Sequence, residues 1–214
     1  MFARVYDLLM SDIDYHELLT LIKTYLNKSD LILDAGCGSG YFLKELLLED
    51  YQAIGIDLDD EMLSIAHDRL TSSHLNAQLY HHDLKDPLGA KVDVIVSLFD
   101  VMNYFKGIKK VFKNIHTALY DQGRFIFDVY KYEVLDVYDG YEESDDLPIT
   151  YEWKIKRDSD RLHHEVLVDH ELHQITQYVK PLAYYIDVLN TLKFKDIKVI
   201  DGPDERKHYI IATK

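Results

Sequence analysis

Three glycines stand at alternate positions in the segment L-I-L-D-A-G-C-G-S-G-Y-F, residues 31–42, directly after a short apolar run. Such a segment is typical of the turn between a buried strand and a helix. Glycine tolerates positive φ and lets a ligand touch the backbone, while the helix start offers unpaired N–H groups and a positive dipole end. The segment therefore predicts a site for a ligand with a carboxylate or phosphate. A turn that serves only helix–strand packing is the alternative.

The spacing of the glycines distinguishes between nucleotide-binding loops. A dinucleotide-binding loop has the pattern G-x-G-x-x-G, which from Gly36 requires Gly or Ala at position 41, where this chain has Tyr41. A phosphate-binding P-loop is also disfavoured, because no G-K-[ST] follows. The loop therefore lacks the pattern that binds a pyrophosphate.

A carboxylate follows at the end of the next predicted strand, A-I-G-I-D. Asp57 comes 17 residues after Gly40, where an acidic side chain accepts hydrogen bonds from both hydroxyls of a ribose. The alternative is a helix N-cap, although Asp59 and Asp60 could serve as the cap instead. The ligand is therefore expected to contain a ribose.

The elements that must position these residues alternate between strand and helix. Short apolar runs predict strands, and apolar residues at helical spacing predict the helices between them. The expected strands are 31–33, 53–57, 77–80, 92–98, 124–129, 197–200 and 208–212. The expected helices are 14–26, 40–47, 60–70, 108–119 and 181–194. This order predicts a doubly wound α/β fold with a mostly parallel seven-stranded sheet whose last strand is antiparallel.

The alternation of strand and helix breaks after residue 133. Residues 134–148 are acidic and show no period, whereas 149–155 and 162–172 alternate apolar and polar residues around a turn at 158–160. This pattern predicts a small antiparallel β-hairpin insertion that packs over one edge of the core. We expect one domain, residues 1–214, with four parts. These are a helical cap (1–28), a ligand-binding core (29–133), the insertion (134–180) and a C-terminal helix with a strand pair (181–214).

Composition limits the partners. The net charge of −14 disfavours nucleic acid, whose binding depends on clustered positive charge. Cys37 is the only cysteine, so neither a disulfide framework nor a thiolate metal cluster is expected. The sequence shows no signal peptide and no apolar run of membrane-spanning length, which predicts a cytoplasmic protein without a membrane partner.

At this point the motifs resemble a known family, the class I S-adenosylmethionine-dependent methyltransferases. D-A-G-C-G-S-G at 34–40 is similar to their first motif, Asp57 occupies their acidic position, and H-D-L at 82–84 resembles their adenine-contacting segment. The segment S-L-F-D-V-M-N-Y-F, 97–105, is similar to that of small-molecule members, some of which carry a β-insertion after strand five. The resemblance covers residues 1–130 well and the C-terminal strands loosely, and it implies S-adenosyl-L-methionine as the cofactor.

The resemblance implies a role for each matching position. Asp34 orients the glycine loop and the cofactor's amino group, Asp57 binds the ribose, and Asp83 accepts from the adenine amino group. The full set of implied cofactor residues is Tyr6, Asp34, Gly36, Cys37, Gly38, Gly40, Asp57, Leu58, Met62, Asp83, Leu84 and Phe99. The implied substrate residues are Asn103, Tyr104 and Tyr130.

No catalytic triad is expected, because a sulfonium methyl is already electrophilic and the enzyme need only align donor and acceptor. If a base removes a proton from the acceptor, the candidates are Asp100, Asp128, His81 and His82. Each of them could instead be structural or face the cofactor.

The predicted hairpin is rich in His and Tyr. Four histidines lie there, but two on one face, His164 and His170, are about 20 Å apart along a strand, too far for one metal ion. Solvated imidazoles are therefore expected, and no metal. Five tyrosines could line an acceptor pocket or be ordinary strand residues: Tyr130, Tyr132, Tyr138, Tyr141 and Tyr151.

The sequence thus favours a methyltransferase for a small-molecule acceptor, at nitrogen or oxygen, with a lid made from the N-terminal segment and the hairpin. The chain is expected to be a monomer or homodimer. An RNA or protein methyltransferase, a non-catalytic cofactor-binding module and a nicotinamide dehydrogenase are the alternatives, the last weakened by Tyr41.

Overall fold

The computed structural model describes residues 2–146 and 148–214. Its main sheet has seven strands in the order β10-β11-β5-β4-β1-β2-β3. The strands are β1 (Leu31–Ala35), β2 (Gln52–Asp57), β3 (Leu79–His81), β4 (Val92–Ser97), β5 (Leu119–Tyr130), β10 (Lys195–Ile200) and β11 (Lys207–Thr213). Strands β1 to β5 pair in parallel, and β11 lies antiparallel between β10 and β5. The predicted doubly wound sheet with an antiparallel last strand is confirmed.

Helices cover both faces of this sheet. They are α1 (Phe2–Leu9), α2 (Tyr15–Ile22), α3 (Tyr41–Leu48), α4 (Asp60–Ser72), α5 (Lys109–Ala118), α6 (Val134–Tyr138) and α7 (Leu182–Thr191), with short 3-10 turns at Lys23–Tyr25 and Val101–Tyr104. Side chains of α5 and α7 form a core on one face, whereas those of α2, α3 and α4 form a core on the other. The strands are buried on both faces, which explains their continuous apolar runs.

Helix α4 shows how sequence positions the ligand loop. The Asp59 carboxylate accepts from the backbone N–H groups of Glu61 (2.8 Å) and Met62 (3.2 Å), so Asp59 is the N-cap. Asp57 is therefore not the N-cap of α4, which was the alternative role considered for it.

The predicted fifth strand begins earlier than expected. Strand β5 starts at Leu119 rather than at Arg124. Val92 pairs with Leu119 and Val94 with Arg124, so the extra residues bulge out of the sheet.

The insertion is a separate antiparallel sheet of four strands rather than two. These are β6 (Tyr141–Asp145), β7 (Tyr151–Asp158), β8 (Arg161–Val168) and β9 (Glu171–Tyr178), in that order. Two parts of the sequence prediction are corrected. The acidic stretch contains α6 and β6, and the return strand is broken by a turn at Asp169 and His170, both at positive φ.

Helix α1 joins the insertion to the core. Its Val5 packs with Tyr151, Val166 and Val168 of the insertion in a small hydrophobic cluster. In the described ranges, no helix is long and apolar enough to cross a membrane.

Candidate active site

The glycine loop connects β1 to α3 at the carboxyl edge of the sheet. Gly36 has φ +82°, and a Cβ there would meet Val101 Cγ2 at 2.7 Å, so this glycine is required for packing. Gly38 has φ +51°, and a Cβ there would meet no atom within 4 Å. Only the second of these two glycines therefore leaves space that a ligand could use.

The carboxylate of Asp57 supports the loop from the end of β2. It accepts hydrogen bonds from the backbone N–H groups of Gly38 (2.8 Å) and Asp59 (3.0 Å). Burial raises the pKa of Asp57, although these N–H groups oppose the shift. A side chain aligned in this way can accept further hydrogen bonds from a ligand.

Asp34, at the end of β1, is buried, and its Oδ2 atom has no hydrogen-bond partner. Burial, assisted by the charge of Asp57, raises the pKa of Asp34 to about 8. A cationic group of a ligand would supply the missing partner and restore the charged form.

These three features open into a cavity of about 500 Å³, which we call the cofactor cavity. Its wall includes all but one of the cofactor residues implied by the sequence. The exception is Gly40, which packs against Ala66 of α4, where a Cβ would come within 2.9 Å of the Ala66 Cβ. The structure brings the other eleven together: Tyr6, Asp34, Gly36, Cys37, Gly38, Asp57, Leu58, Met62, Asp83, Leu84 and Phe99.

A second cavity, of about 760 Å³, lies between the core and the insertion, and we call it the acceptor cavity. It shares wall residues with the cofactor cavity, so the two adjoin. The shared residues are Phe2, Tyr6, Met10, Phe99, Tyr104 and Ile175.

Phe99 and Asp100 form a strained turn at this junction. Both have positive φ, +64° and +53°, which is unusual for residues other than glycine. The Asp128 carboxylate accepts from the N–H groups of Phe99 (2.9 Å) and Asp100 (2.5 Å) and holds the turn in place. Asp128 is buried and lies behind the cavities, so its contacts are those of a positioning group.

Lys207, at the start of β11, completes this cluster. Its Nζ lies 2.8 Å from Asp100 and 3.3 Å from Asp128. Burial would lower the pKa of Lys207, but the two carboxylates outweigh burial and raise it, so the side chain is an ammonium. With Gln177 on its other oxygen (2.6 Å), the Asp100 carboxylate is engaged on both sides.

The two histidine candidates for a base lie away from the acceptor cavity. His81 is exposed on the edge strand β3. His82 lines the cofactor cavity next to Asp83, and its Nε2 is 3.3 Å from the Asp86 carbonyl. Neither lines the acceptor cavity, and the structure therefore does not support either of them as the base.

The three expected substrate residues are separated by the structure. Tyr104 lines both cavities and Tyr130 lines the acceptor cavity. Asn103 lines neither cavity, because it is fully buried and donates to the Tyr178 carbonyl (2.9 Å) while accepting from the Tyr130 N–H (3.1 Å). The geometry corrects the expectation for Asn103, whose polar atoms connect the core to the insertion.

The inner face of the insertion covers the acceptor cavity. One set of side chains from the four strands lines the cavity: Tyr141, Glu143, Trp153, Ile155, His164, Ile175 and Gln177. His164 is only 6% exposed, so the expectation of solvated imidazoles is wrong for this residue. Of the five tyrosines left open by the sequence, Tyr130, Tyr138 and Tyr141 line this cavity.

Arg69 of α4 connects the glycine loop to helix α1, whose Phe2 and Tyr6 line the cofactor cavity. The guanidinium donates to Asp7 of α1 (2.5 Å) and to the Ser39 carbonyl of the glycine loop (2.8 Å), and it stacks over the Tyr41 ring. Tyr41, which distinguished this loop from dinucleotide-binding loops, thus takes part in the same contact. We call this group of contacts among Arg69, Asp7, Ser39 and Tyr41 the latch.

Comparison with known proteins assigns the family. Residues 32–123 match a family model described as a methyltransferase domain. YqeM of Bacillus subtilis (strain 168), which carries the name of a methyltransferase, is 32% identical over 168 residues, 75% of this chain and 68% of YqeM. The chain belongs to the class I S-adenosylmethionine-dependent methyltransferases. Its cofactor is S-adenosyl-L-methionine.

Two further proteins are similar to this methyltransferase, one in sequence and one in fold. One is an N,N-dimethyltransferase of Streptomyces venezuelae whose name contains dTDP-3-amino-3,4,6-trideoxy-α-D-glucopyranose. The two sequences are 32% identical over a region that covers 42% of this chain and 37% of the Streptomyces protein. A S-adenosylmethionine-dependent methyltransferase from Clostridium acetobutylicum superposes with a TM-score of 0.81 at 22% identity, covering 99% of this chain and 97% of that one. The second comparison concerns the fold alone.

The residues of the methyltransferase's cofactor cavity fit this cofactor. The unpartnered Asp34 oxygen suits the ammonium group of its methionine part, and Gly38 leaves space beside the backbone. A loop without a pyrophosphate pattern suits a ligand that has no phosphate.

Four residues of the methyltransferase site were missed by the sequence reasoning. Lys207 and Gln177 lie in strands, where a single polar residue at an inward position is common and gives no signal. Arg69 was missed because its sequence position is typical of a surface residue of a helix. His164 stood at an inward position of an alternating strand, which is the one signal that could have identified it.

Proposed function

We propose that the chain transfers a methyl group to a small molecule held in the acceptor cavity, at nitrogen or at oxygen. The observation that carries this proposal is the shared wall at Phe99, where a cavity of 760 Å³ adjoins the cofactor cavity. That volume is typical of small-molecule sites. The insertion covers the cavity, as expected if the reaction must exclude water.

The cofactor supplies an electrophilic methyl group and leaves as a neutral thioether. In the proposed complex, Asp57 binds the ribose, Asp34 the ammonium group, and Asp83, Leu58 and Met62 the adenine. Tyr6 and Phe99, which line both cavities, border the transfer site. These residues align the acceptor's lone pair with the bond to the methyl group, and alignment alone can supply much of the rate.

A nitrogen acceptor is favoured over a hydroxyl. An amine attacks in its neutral form without help, whereas a hydroxyl needs a base to remove its proton. Of the four candidate bases, Asp100 and Asp128 are engaged by hydrogen bonds and Lys207, and His81 and His82 lie elsewhere. The name of the Streptomyces relative, a sugar N,N-dimethyltransferase, supports the same preference.

Macromolecular acceptors are less well supported. RNA requires clustered positive charge, but the chain carries −14, and Asp14, Glu17 and Glu205 line the acceptor cavity.

Transfer of a tritiated methyl group to a cell extract tests the proposal. After incubation with labelled cofactor, the extract is separated into a fraction below about 1 kDa, RNA and protein. Label is expected in the small-molecule fraction and is expected to be strongly reduced with Asp57→Ala. Label in RNA or protein alone would contradict the proposal, and no label in any fraction would favour a non-catalytic cofactor-binding module.

A further inference from the structure

Three of the four unpartnered polar atoms among the described residues belong to side chains that line the two cavities. Within the described residues, four buried side-chain atoms lack a hydrogen-bond partner: Asp34 Oδ2, His164 Nε2, His173 Nε2 and Gln177 Oε1. Buried polar groups are nearly always bonded, so each such atom requires an explanation. Asp34 faces the cofactor cavity, whereas His164 and Gln177 both line the acceptor cavity. The acceptor itself is the natural partner of the latter two.

His164 is a hydrogen-bond donor at Nε2. Its Nδ1 lies 3.1 Å from the indole Nε1 of Trp153, and an indole N–H can only donate. Nδ1 must therefore accept, which places the proton of the neutral ring on Nε2. Burial lowers the pKa of His164, although Asp100 and the neighbouring Gln177 side chain oppose the shift, and the lowered pKa is consistent with a neutral ring. His164 thus cannot serve as a base through Nε2 while the Trp153 bond is made.

Gln177 is an acceptor. Its Nε2 donates to Asp100 at 2.6 Å, and because that carboxylate also binds Lys207 it acts only as an acceptor. The amide can therefore take only the orientation in which Oε1 points away from Asp100. Gln177 is 3% exposed, so this oxygen cannot be satisfied by bulk water.

Strand pairing makes these two side chains neighbours. Leu162 pairs with Gln177 and His164 with Ile175, so His164 and Gln177 are diagonal neighbours on the inner face of the insertion. Ile175 between them lines both cavities, which places the pair close to the transfer site.

We propose that His164 and Gln177 form a subsite for a neutral hydroxyl group of the methyl acceptor, which rests on the function proposed above. A hydroxyl oxygen accepts from His164 and donates to Gln177. A carboxylate or phosphate has no hydrogen to donate and would meet Asp100, while an ammonium group could not accept from His164. The substrate class is therefore hydroxylated amines rather than simple alkyl amines or anionic acceptors.

Two amines that differ by one hydroxyl test this subsite: trans-2-aminocyclohexanol and cyclohexylamine. With the protein ¹⁵N-labelled at histidine and saturated with S-adenosylhomocysteine, the Nε2–H resonance of His164 is expected to shift with the first amine only. His163 points to the opposite face of β8, and its resonance is the internal control. A shift of His164 that is equal with both amines, or absent with both, would overturn the subsite.

Kinetic measurements on variants give a second test of the subsite. His164→Asn keeps an acceptor near Trp153 but removes the Nε2 donor, and Gln177→Met removes the acceptor together with the donor to Asp100. Each is expected to raise KM for the hydroxylated amine about 10- to 100-fold, with kcat less affected and binding of S-adenosylhomocysteine unchanged. His163→Asn is expected to match the wild type. An unchanged KM in both subsite variants would refute the subsite even if label from the extract experiment appears in small molecules, whereas label found only in RNA or protein would refute the proposed function itself.

Discussion

Lys207 Nζ lies 2.8 Å from the Asp100 carboxylate, and both side chains are buried where the two cavities adjoin. The same ammonium group contacts Asp128, which holds the strained turn at Phe99. Buried charges of this kind are stable only while every member has a partner.

Replacing Lys207 should therefore be costly. Lys207→Met leaves two carboxylates buried without their counter-ion, and we expect the free energy of unfolding to fall by about 3–5 kcal/mol. Urea denaturation measures this change. Lys195→Met, at an exposed position of β10, is the control and is expected to differ from wild type by less than about 0.5 kcal/mol. Equal stability of the two variants would show that the cluster is not needed for stability.

Substitutions at Gly36 and Gly38, two of the three loop glycines, should distinguish an effect on stability from an effect on cofactor binding. Gly36→Ala places a Cβ against Val101, so we expect it to lower the unfolding free energy by about 2 kcal/mol or more. Gly38→Ala meets no protein atom but occupies space beside the cofactor cavity. It should cost about 1 kcal/mol of stability, for its positive φ, yet weaken binding of S-adenosylhomocysteine more than about 10-fold. If Gly38→Ala binds like the wild type, the cofactor does not approach this backbone.

Asp34 makes cofactor binding depend on pH. In the free protein, its raised pKa of about 8 keeps the carboxyl protonated at pH 7. A bound ammonium group favours the carboxylate, so binding releases a proton and the affinity should increase from pH 6 to pH 8. Calorimetry with S-adenosylhomocysteine in two buffers of different ionisation enthalpy measures the release. Asp34→Asn should abolish it, and a wild type that releases no proton would contradict the assigned role.

The latch between α1 and the glycine loop should set how firmly the cofactor is retained. Arg69→Met removes the donor to Asp7 and Ser39, and we expect the dissociation constant of S-adenosylhomocysteine to rise about 10-fold, as for one charged hydrogen bond. Asp68→Asn changes the neighbouring residue, whose side chain is 82% exposed, and should leave binding unchanged. Calorimetry measures both constants, and identical dissociation constants for the two variants would exclude a latch.

Much of the fold followed from sequence because its signals are local. Apolar runs, the cap at Asp59 and the glycine pattern each act within a few residues, and all point to the same sheet. The insertion was harder, because the acidic residues of β6 carry no alternation and the turn at Asp169 and His170 contains no glycine or proline.

The cofactor residues were easier to predict from sequence than the acceptor residues, for the same reason. Cofactor residues follow strand ends in a fixed order, so Asp34 and Asp57 were identified together. The acceptor residues come from distant segments: Lys207 lies 79 positions from Asp128, and Gln177 lies 77 from Asp100. Only the packing of the insertion on the core brings such residues into contact, and spacing along the chain does not reveal it.

Titration calorimetry with S-adenosylmethionine tests the central claim most directly. The wild type should bind one equivalent, and Asp57→Ala should bind about 100-fold more weakly, because it loses the acceptor for the ribose hydroxyls and the support of Gly38. Asp60→Ala, at an exposed position three residues later, should bind as the wild type does. A wild type that does not bind the cofactor, or an Asp57→Ala variant that binds it equally well, would contradict the claim that this cavity holds the methyl donor.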